Sequence, residues 1–236
     1  MLTGKMSCRW LSGGVAAGSL FFYNKENLVG FIKKFFANTR KPQGFLGKLM
    51  VGGMNKGHAK CADWGMENIK DMAPKTILDC GCGGGRNIKA LLEKFPDAVG
   101  WGLDYSEISV EKTREINKAA IEGGRCNVVQ GDVSALPFDE NSFNLVTAFE
   151  TVYFWPDIEN CFRQVFRVLK PGGLFLILNE SDGTDAMGEK WEKMIDGMRL
   201  YTGEDLAAIL KKSGFVEIKV SKHAQKHWLA VTGKHP

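Results

Sequence analysis

No C-x-x-C pair occurs among the six cysteines (Cys8, Cys61, Cys80, Cys82, Cys126 and Cys161), and no second group of ligands stands at the spacing that closes a tetrahedral metal site. No metal is expected, and scattered thiols fit a reducing, cytoplasmic compartment. No apolar run reaches the ~20 residues that span a bilayer. The uncharged stretch Trp10 to Tyr23 is broken by Gly13, Gly14 and Gly18, and no small-x-small cleavage site follows it. Internal repeats and low-complexity tracts are missing too. With 44% hydrophobic and 25% charged residues over 236 positions, disorder and a collagen-like chain are excluded. The length suits one large domain with an elaboration.

A large net charge is also lacking. The formal balance is +4, and no basic groove with interleaved aromatics occurs, so nucleic acid is not expected as a partner. The total conceals an asymmetry. Residues 1–60 carry ten Lys or Arg against one acid, Glu26, while residues 61–236 carry 21 against 26. Such a basic leader can face water, an acidic substrate or an anionic lipid surface. Within it, Leu28, Phe31, Ile32, Phe35 and Phe36 recur at helical spacing, with Lys25, Glu26, Lys33 and Lys34 elsewhere on the wheel. This amphipathic helix either packs on the main domain or makes peripheral contact with a membrane. A further helix is predicted over Asn55 to Asp71, with His58, Ala62, Met66 and Ile69 on one inward face. Residues 1–73 therefore read as a basic leader and helical cap, and residues 74–236 as the main domain.

From Lys75 the pattern alternates. Thr76-Ile77-Leu78, Ala98 to Leu103, Asn127-Val128-Val129, Phe143 to Phe149 and Leu174 to Leu178 read as buried strands. Helices are predicted between them over Asn87 to Phe95, from a Ser106 cap through Ala120, and over Asp157 to Leu169. Strands alternating with helices imply right-handed crossovers and a doubly wound, mostly parallel α/β sheet. The tail adds a helix over Met187 to Met198 and another over Thr202 to Ser213. In the second, Thr202 and Asp205 form a capping box and Gly214 supplies the stop. Two last strands, Phe215 to Val220 and Trp228 to Thr232, have no helix between them and should pair antiparallel, with His223 and His227 solvated in their connection.

Ligands of such sheets bind beyond the carboxyl ends of the strands. The first strand ends in Asp79-Cys80-Gly81-Cys82-Gly83-Gly84-Gly85-Arg86, where the glycines let backbone approach a ligand that a β-carbon would obstruct. A dinucleotide fingerprint G-x-G-x-x-G fails: the sixth position from Gly81 is Arg86, and from Gly83 it is Ile88. Asp104 closes the second strand, where a carboxylate can accept both hydrogen bonds of a ribose diol. Asp132 follows the third strand, within reach of an adenine amino group, and Glu150 closes the fourth.

These residues resemble the class I S-adenosylmethionine-dependent methyltransferases, of the kind that includes ubiquinone and menaquinone biosynthesis methyltransferases. The likeness covers about residues 50–236. It rests on ILDCGCGGGRN, on Asp104 in GLDYSE, on Asp132 in GDVSALPF and on VLKPGG from Val168 to Gly173. The resemblance implies a seven-stranded Rossmann-like sheet whose last strand is antiparallel, S-adenosyl-L-methionine as cofactor, and methyl transfer to a small-molecule substrate. It places Asp79, Gly81, Cys82, Gly83 and Gly85 around the methionine portion, Asp104 on the ribose hydroxyls, Tyr105 beside the adenine, and Asp132 and Val133 at the adenine edge. Glu150 and Thr151 fall where the family lines the sulfonium pocket.

In-line displacement at a sulfonium needs alignment more than acid–base power. Should a base be used, His58, Glu150 and Tyr153 are the candidates. Tyr153-Phe154-Trp155 reads as pocket lining; the acceptor's cover is expected from the helices before residue 74 and from the stretch Glu180 to Tyr201 after the fifth strand, with the amino-terminal segment folding down as a lid. Two other functions remain: a non-catalytic S-adenosylmethionine-binding regulator, and a nicotinamide-dependent oxidoreductase, which the missing third glycine disfavours.

Overall fold

Ile77, Leu78, Leu145, Val146, Leu176 and Ile177 are wholly shielded from solvent, and neighbouring residues can both be so only in strands covered on both faces. In the computed structural model, which describes residues 58–236, they lie in β1 (Thr76–Cys80), β4 (Phe143–Phe149) and β5 (Leu169–Asn179). With β2 (Val99–Asp104), β3 (Cys126–Gln130), β6 (Val216–Lys222) and β7 (Leu229–Lys234) they form one seven-stranded sheet of order β3-β2-β1-β4-β5-β7-β6. The first five strands run parallel to one another, and β7 runs antiparallel to both β5 and β6. The expected doubly wound sheet with an antiparallel last strand is observed.

Helices cover both faces. On one, Phe162 and Val165 of α5 (Ile158–Val168) and Leu206 and Leu210 of α7 (Gly203–Lys212) pack with Val146 and Ile177. On the other, α1 (Ala59–Gly65) and α2 (Arg86–Lys94) bring Cys61, Ala62, Ile88 and Leu91 against Ile77, Leu145 and Leu178. Residues of the 58–73 segment thus share a continuous core with the sheet. The basic leader up to residue 57, its amphipathic helix, and the lid assigned to it lie outside the described residues. Among the described residues, no helix is long and apolar enough to cross a membrane.

Several helix bounds differ from expectation. The helix predicted from Asn55 is confined, among the described residues, to α1 and a 3-10 turn over Met66–Ile69. The one predicted through Ala120 divides into α3 (Glu107–Ile116) and α4 (Lys118–Glu122). Asn117 at the break leaves helical geometry, and its side-chain amide donates to the carbonyls of Thr113 and Gly85, both at 3.0 Å. Ser106 stands at the α3 N-cap position without a side-chain capping bond. The helix α6 (Ala186–Met194) stops short of Met198 because Ile195 turns extended and buries its side chain. The Thr202–Asp205 capping box forms as expected, and Gly214 after α7 adopts φ +100°. His223 and His227 are not simply solvated. His227 Nδ1 lies 3.3 Å from Asp182 Oδ1, and the His223 ring packs edge-on to Trp64 and Trp228.

Candidate functional site

The sheet's strand order reverses direction between β1 and β4, so the connections leave to opposite faces and open a crevice at their carboxyl ends. The turn after β1 forms its floor. Gly81 and Cys82 both donate their amides to the Leu103 carbonyl, at 2.7 and 3.0 Å, tying the turn to β2. Gly81 and Gly83 have φ of +77° and +53°, a region that disfavours side chains. A β-carbon on Gly81 would lie 2.5 Å from Thr151 Cγ2, whereas one on Gly83 would meet only the Gly81 carbonyl, at 3.9 Å. The first glycine admits the tip of β4, and the second borders open space.

That space is a cavity of about 1200 Å³ counted out to its mouth, open solvent included. Acids from successive strand tips enter its wall. Asp104 accepts the Gly83 amide on Oδ2 and the Ser106 amide on Oδ1, each at 2.9 Å. Burial raises the pKa of this carboxyl, and the bonds from Ser106, Gly83 and Ser109 oppose the rise. A carboxylate offers roughly four lone-pair sites, so with Gly83, Ser106 and Ser109 as donors Asp104 keeps capacity for one further donor, such as one hydroxyl of a diol. Asp132 Oδ1 accepts from the Ser134 amide at 2.8 Å and hydroxyl at 2.7 Å, which fixes its orientation.

Glu150 lies just beyond β4 with a left-handed backbone, φ +60°. Its Oε1 is buried without a hydrogen-bond partner. Burial pushes its carboxyl up to about 8, with His58 pulling it down and Glu180 adding to the rise. His58 Nδ1 stands 3.0 Å from Glu180 Oε2 and 4.0 Å from Glu150 Oε2. Burial lowers the His58 pKa, but the Glu180 bond and the two acidic charges outweigh it, and the net shift is upward. His58, Glu150 and Glu180 each bring a ring nitrogen or carboxylate oxygen within 4.8 Å of the others, as do Asp182, Asp185 and His227.

Of the residues expected at the site, His58, Gly81, Cys82, Gly83, Asp104, Tyr105, Asp132, Val133 and Glu150 line the cavity together with Thr151. Asp79, Gly85 and Tyr153 do not. Asp79 is sealed beneath the turn, where it accepts the Thr147 hydroxyl at 2.8 Å, and burial pushes its carboxyl up to about 7. Gly85 faces α3: a β-carbon there would come 2.7 Å from Thr113 Cα. Tyr153 is buried behind the wall, where its hydroxyl accepts the Ser181 amide at 3.3 Å and hydrogen-bonds the Glu150 carboxyl. Phe154 and Trp155 do form wall.

Sequence reasoning missed three residues. Asn87 and Ser109 enter the cavity from the first turns of α2 and α3, directly after the strand tips that were inspected. Glu180 follows β5 at the start of the stretch expected to cover the acceptor, but its pairing with His58 has no mark in the sequence beyond an acid at a strand end.

Comparison with known proteins agrees with this architecture. The family described as "Methyltransferase domain" matches residues 77–173. Over 174 residues the chain is 31% identical to 24-methylenesterol C-methyltransferase 3 of Arabidopsis thaliana, covering 68% of this chain and 48% of that protein. Over 157 residues it is 28% identical to the ubiquinone/menaquinone biosynthesis C-methyltransferase UbiE of Dinoroseobacter shibae, covering 66% and 62%. The chain thus spans about half the length of such curated relatives. Among solved structures, a putative methyltransferase in complex with the Haloferax volcanii Trm112 activator superposes with a TM-score of 0.70 at 20% identity, over 87% of this chain and 97% of that one. The matched segment runs from β1 into β5 and holds the glycine turn, Asp104, Asp132 and Glu150, and the chain belongs to the class I S-adenosylmethionine-dependent methyltransferases.

Proposed function

We propose that this chain transfers the methyl group of S-adenosylmethionine to a small-molecule acceptor by in-line displacement. The observation that carries the reading is the Gly83–Asp104 pair: a side-chain-free amide held by a buried carboxylate, with open cavity beside both. The residues fit the cofactor. Asp104 has acceptor capacity left for a ribose hydroxyl, Asp132 and Val133 line the cavity on the side that would take the adenine edge, and Gly81 to Gly83 leave room for the methionine portion.

When bound, S-adenosylmethionine supplies an electrophilic methyl carbon on a positively charged sulfur. The chain contributes position and a dry wall. Trp155, which lines the cavity, stacks on Phe175 at an interplanar angle of 8° and meets Phe162 edge-on, so the wall is braced by the core. Alignment and exclusion of water can supply roughly 7–11 kcal/mol of a barrier reduction. The relatives named above are C-methyltransferases of sterols and of ubiquinone or menaquinone biosynthesis. Together with the aromatic wall, those names support a lipophilic acceptor as the class to test first. The scattered thiols support a cytoplasmic setting.

Titration calorimetry with S-adenosylmethionine, S-adenosylhomocysteine and NAD tests the cofactor. Binding of the first two and not the third is expected, and binding of NAD alone would overturn the reading. Incubation with a labelled methyl donor and a lipid extract then tests transfer. An unlabelled extract beside tight cofactor binding would favour a regulator without turnover.

A further inference from the structure

The acids at the sheet's carboxyl edge stand in spatial order: Asp132 after β3, Asp104 at the end of β2, then across the glycine turn of β1 to Glu150 after β4 and Glu180 after β5. On the reading proposed above, on which this inference rests, Asp132 and Asp104 serve the adenosine end. Glu150 is then the acid that lines the cavity at the opposite, reacting end. It adjoins Thr151, whose methyl leaves no room for a side chain on Gly81. Asp79 lies at that end too, but sealed beneath the turn.

Glu150 is short of positive charge. No lysine or arginine among the described residues lines the cavity. The titratable groups that act on Glu150 are His58 and Cys61 from α1, Tyr153 from the turn after β4, and Glu180 after β5. Only His58 among them can carry a positive charge, and its Nδ1 sits nearer Glu180, at 3.0 Å, than Glu150, at 4.0 Å. A buried carboxylate oxygen without a partner is costly and takes either a cation or a proton.

We propose that Glu150 is the counter-charge of the donor's sulfonium, and that it takes up the acceptor's proton when methyl transfer cancels that charge. The acceptor's electron pair forms the bond to the methyl carbon, and the carbon–sulfur bond breaks with its pair left on sulfur. The acceptor's hydrogen leaves as a proton to the Glu150 carboxylate. The cavity then carries the same net charge before and after. The acceptor class follows: a hydroxyl, a primary or secondary amine in its neutral form, or a carbon that loses a proton on methylation, and not a thioether or tertiary amine, which would leave as a cation. The position of the Glu150 carboxyl, raised by burial to about 8, lets it protonate at neutral pH once the cation is gone.

The test needs no acceptor. Calorimetry of S-adenosylmethionine and of S-adenosylhomocysteine, each in two buffers of different ionisation enthalpy at pH 7.5, counts the protons exchanged on binding. The charged donor should displace roughly 0.5–1 proton more than the neutral product. Between pH 6 and pH 8 donor affinity should gain on product affinity, by at most roughly tenfold per pH unit. Glu150→Gln should abolish both differences while the product still binds. Equal proton counts in the parent protein, or an unchanged difference in Glu150→Gln, would overturn the proposal and leave the cofactor assignment standing. Failure of both ligands to bind would overturn the two together.

Discussion

Gly81 and Thr151 stand in direct apposition: the hydrogen of the glycine α-carbon occupies the place from which a β-carbon would press on Thr151, 2.5 Å from Cγ2 and 2.8 Å from Cβ. The Thr151 hydroxyl in turn donates to the Cys80 carbonyl at 3.1 Å, so the tips of β1 and β4 are fastened at this point. Gly81→Ala should therefore cost stability. A left-handed backbone contributes about 1–2 kcal/mol and the clash adds to it, for a total of about 2–4 kcal/mol in urea denaturation. A double-mutant cycle with Thr151→Ser, which lacks Cγ2, should return a coupling of at least ~0.5 kcal/mol. Additive behaviour would show that the turn shifts as a whole.

Gly83→Ala is expected to behave in the opposite manner. Its β-carbon would meet nothing closer than 3.9 Å, so folding loses about 1–2 kcal/mol, from backbone conformation alone. The methyl group would instead occupy the cavity, and S-adenosylmethionine affinity should fall by more than tenfold. Calorimetry beside thermal denaturation separates the two glycines; equal effects on binding would remove the distinction.

Asp104→Asn keeps one acceptor and places an NH2 against an amide that now has no partner, either Gly83 or Ser106. An unsatisfied buried donor costs about 1–3 kcal/mol. Cofactor affinity should drop at least tenfold with the fold retained by circular dichroism. Parental affinity would remove Asp104 from the site.

Asp79 ties stability to pH. Its folded carboxyl stands near 7 because burial outweighs the Thr147 hydrogen bond, while an unfolded aspartate ionises near ~3.9. A carboxyl raised on folding stabilises fully below the unfolded value, and that contribution is lost as pH climbs from about 4 to about 7. Asp79→Asn should match the parent near pH 4 and exceed it above pH 7, by up to about 4 kcal/mol. A gap independent of pH would show that Asp79 is ionised throughout.

The parallel sheet, the glycine turn and Asp104 were legible because each leaves a local mark: uninterrupted aliphatic runs, clustered glycines and an acid at a strand end. The helix break at Asn117 was not, because its cause is a bond to Gly85, 32 residues away. Gly85 read as a ligand contact since turn glycines look alike in sequence, while its role depends on the distant Thr113. Pairing of His58 with Glu180 joins residues separated by most of the sheet. The inward face of its helix was visible in the periodicity, but the acid it meets was not.

Gly65, the last residue of α1, lies so close to Leu178 of β5 that a β-carbon there would collide with the leucine side chain. This contact is a fulcrum. A single methyl at Gly65 must displace either the leucine methyls or α1 itself, and where the helix yields it carries the imidazole at its other end away from the two carboxylates. Discrimination between a charged ligand and its neutral counterpart would thus be adjustable by steric bulk on the far end of a seven-residue lever.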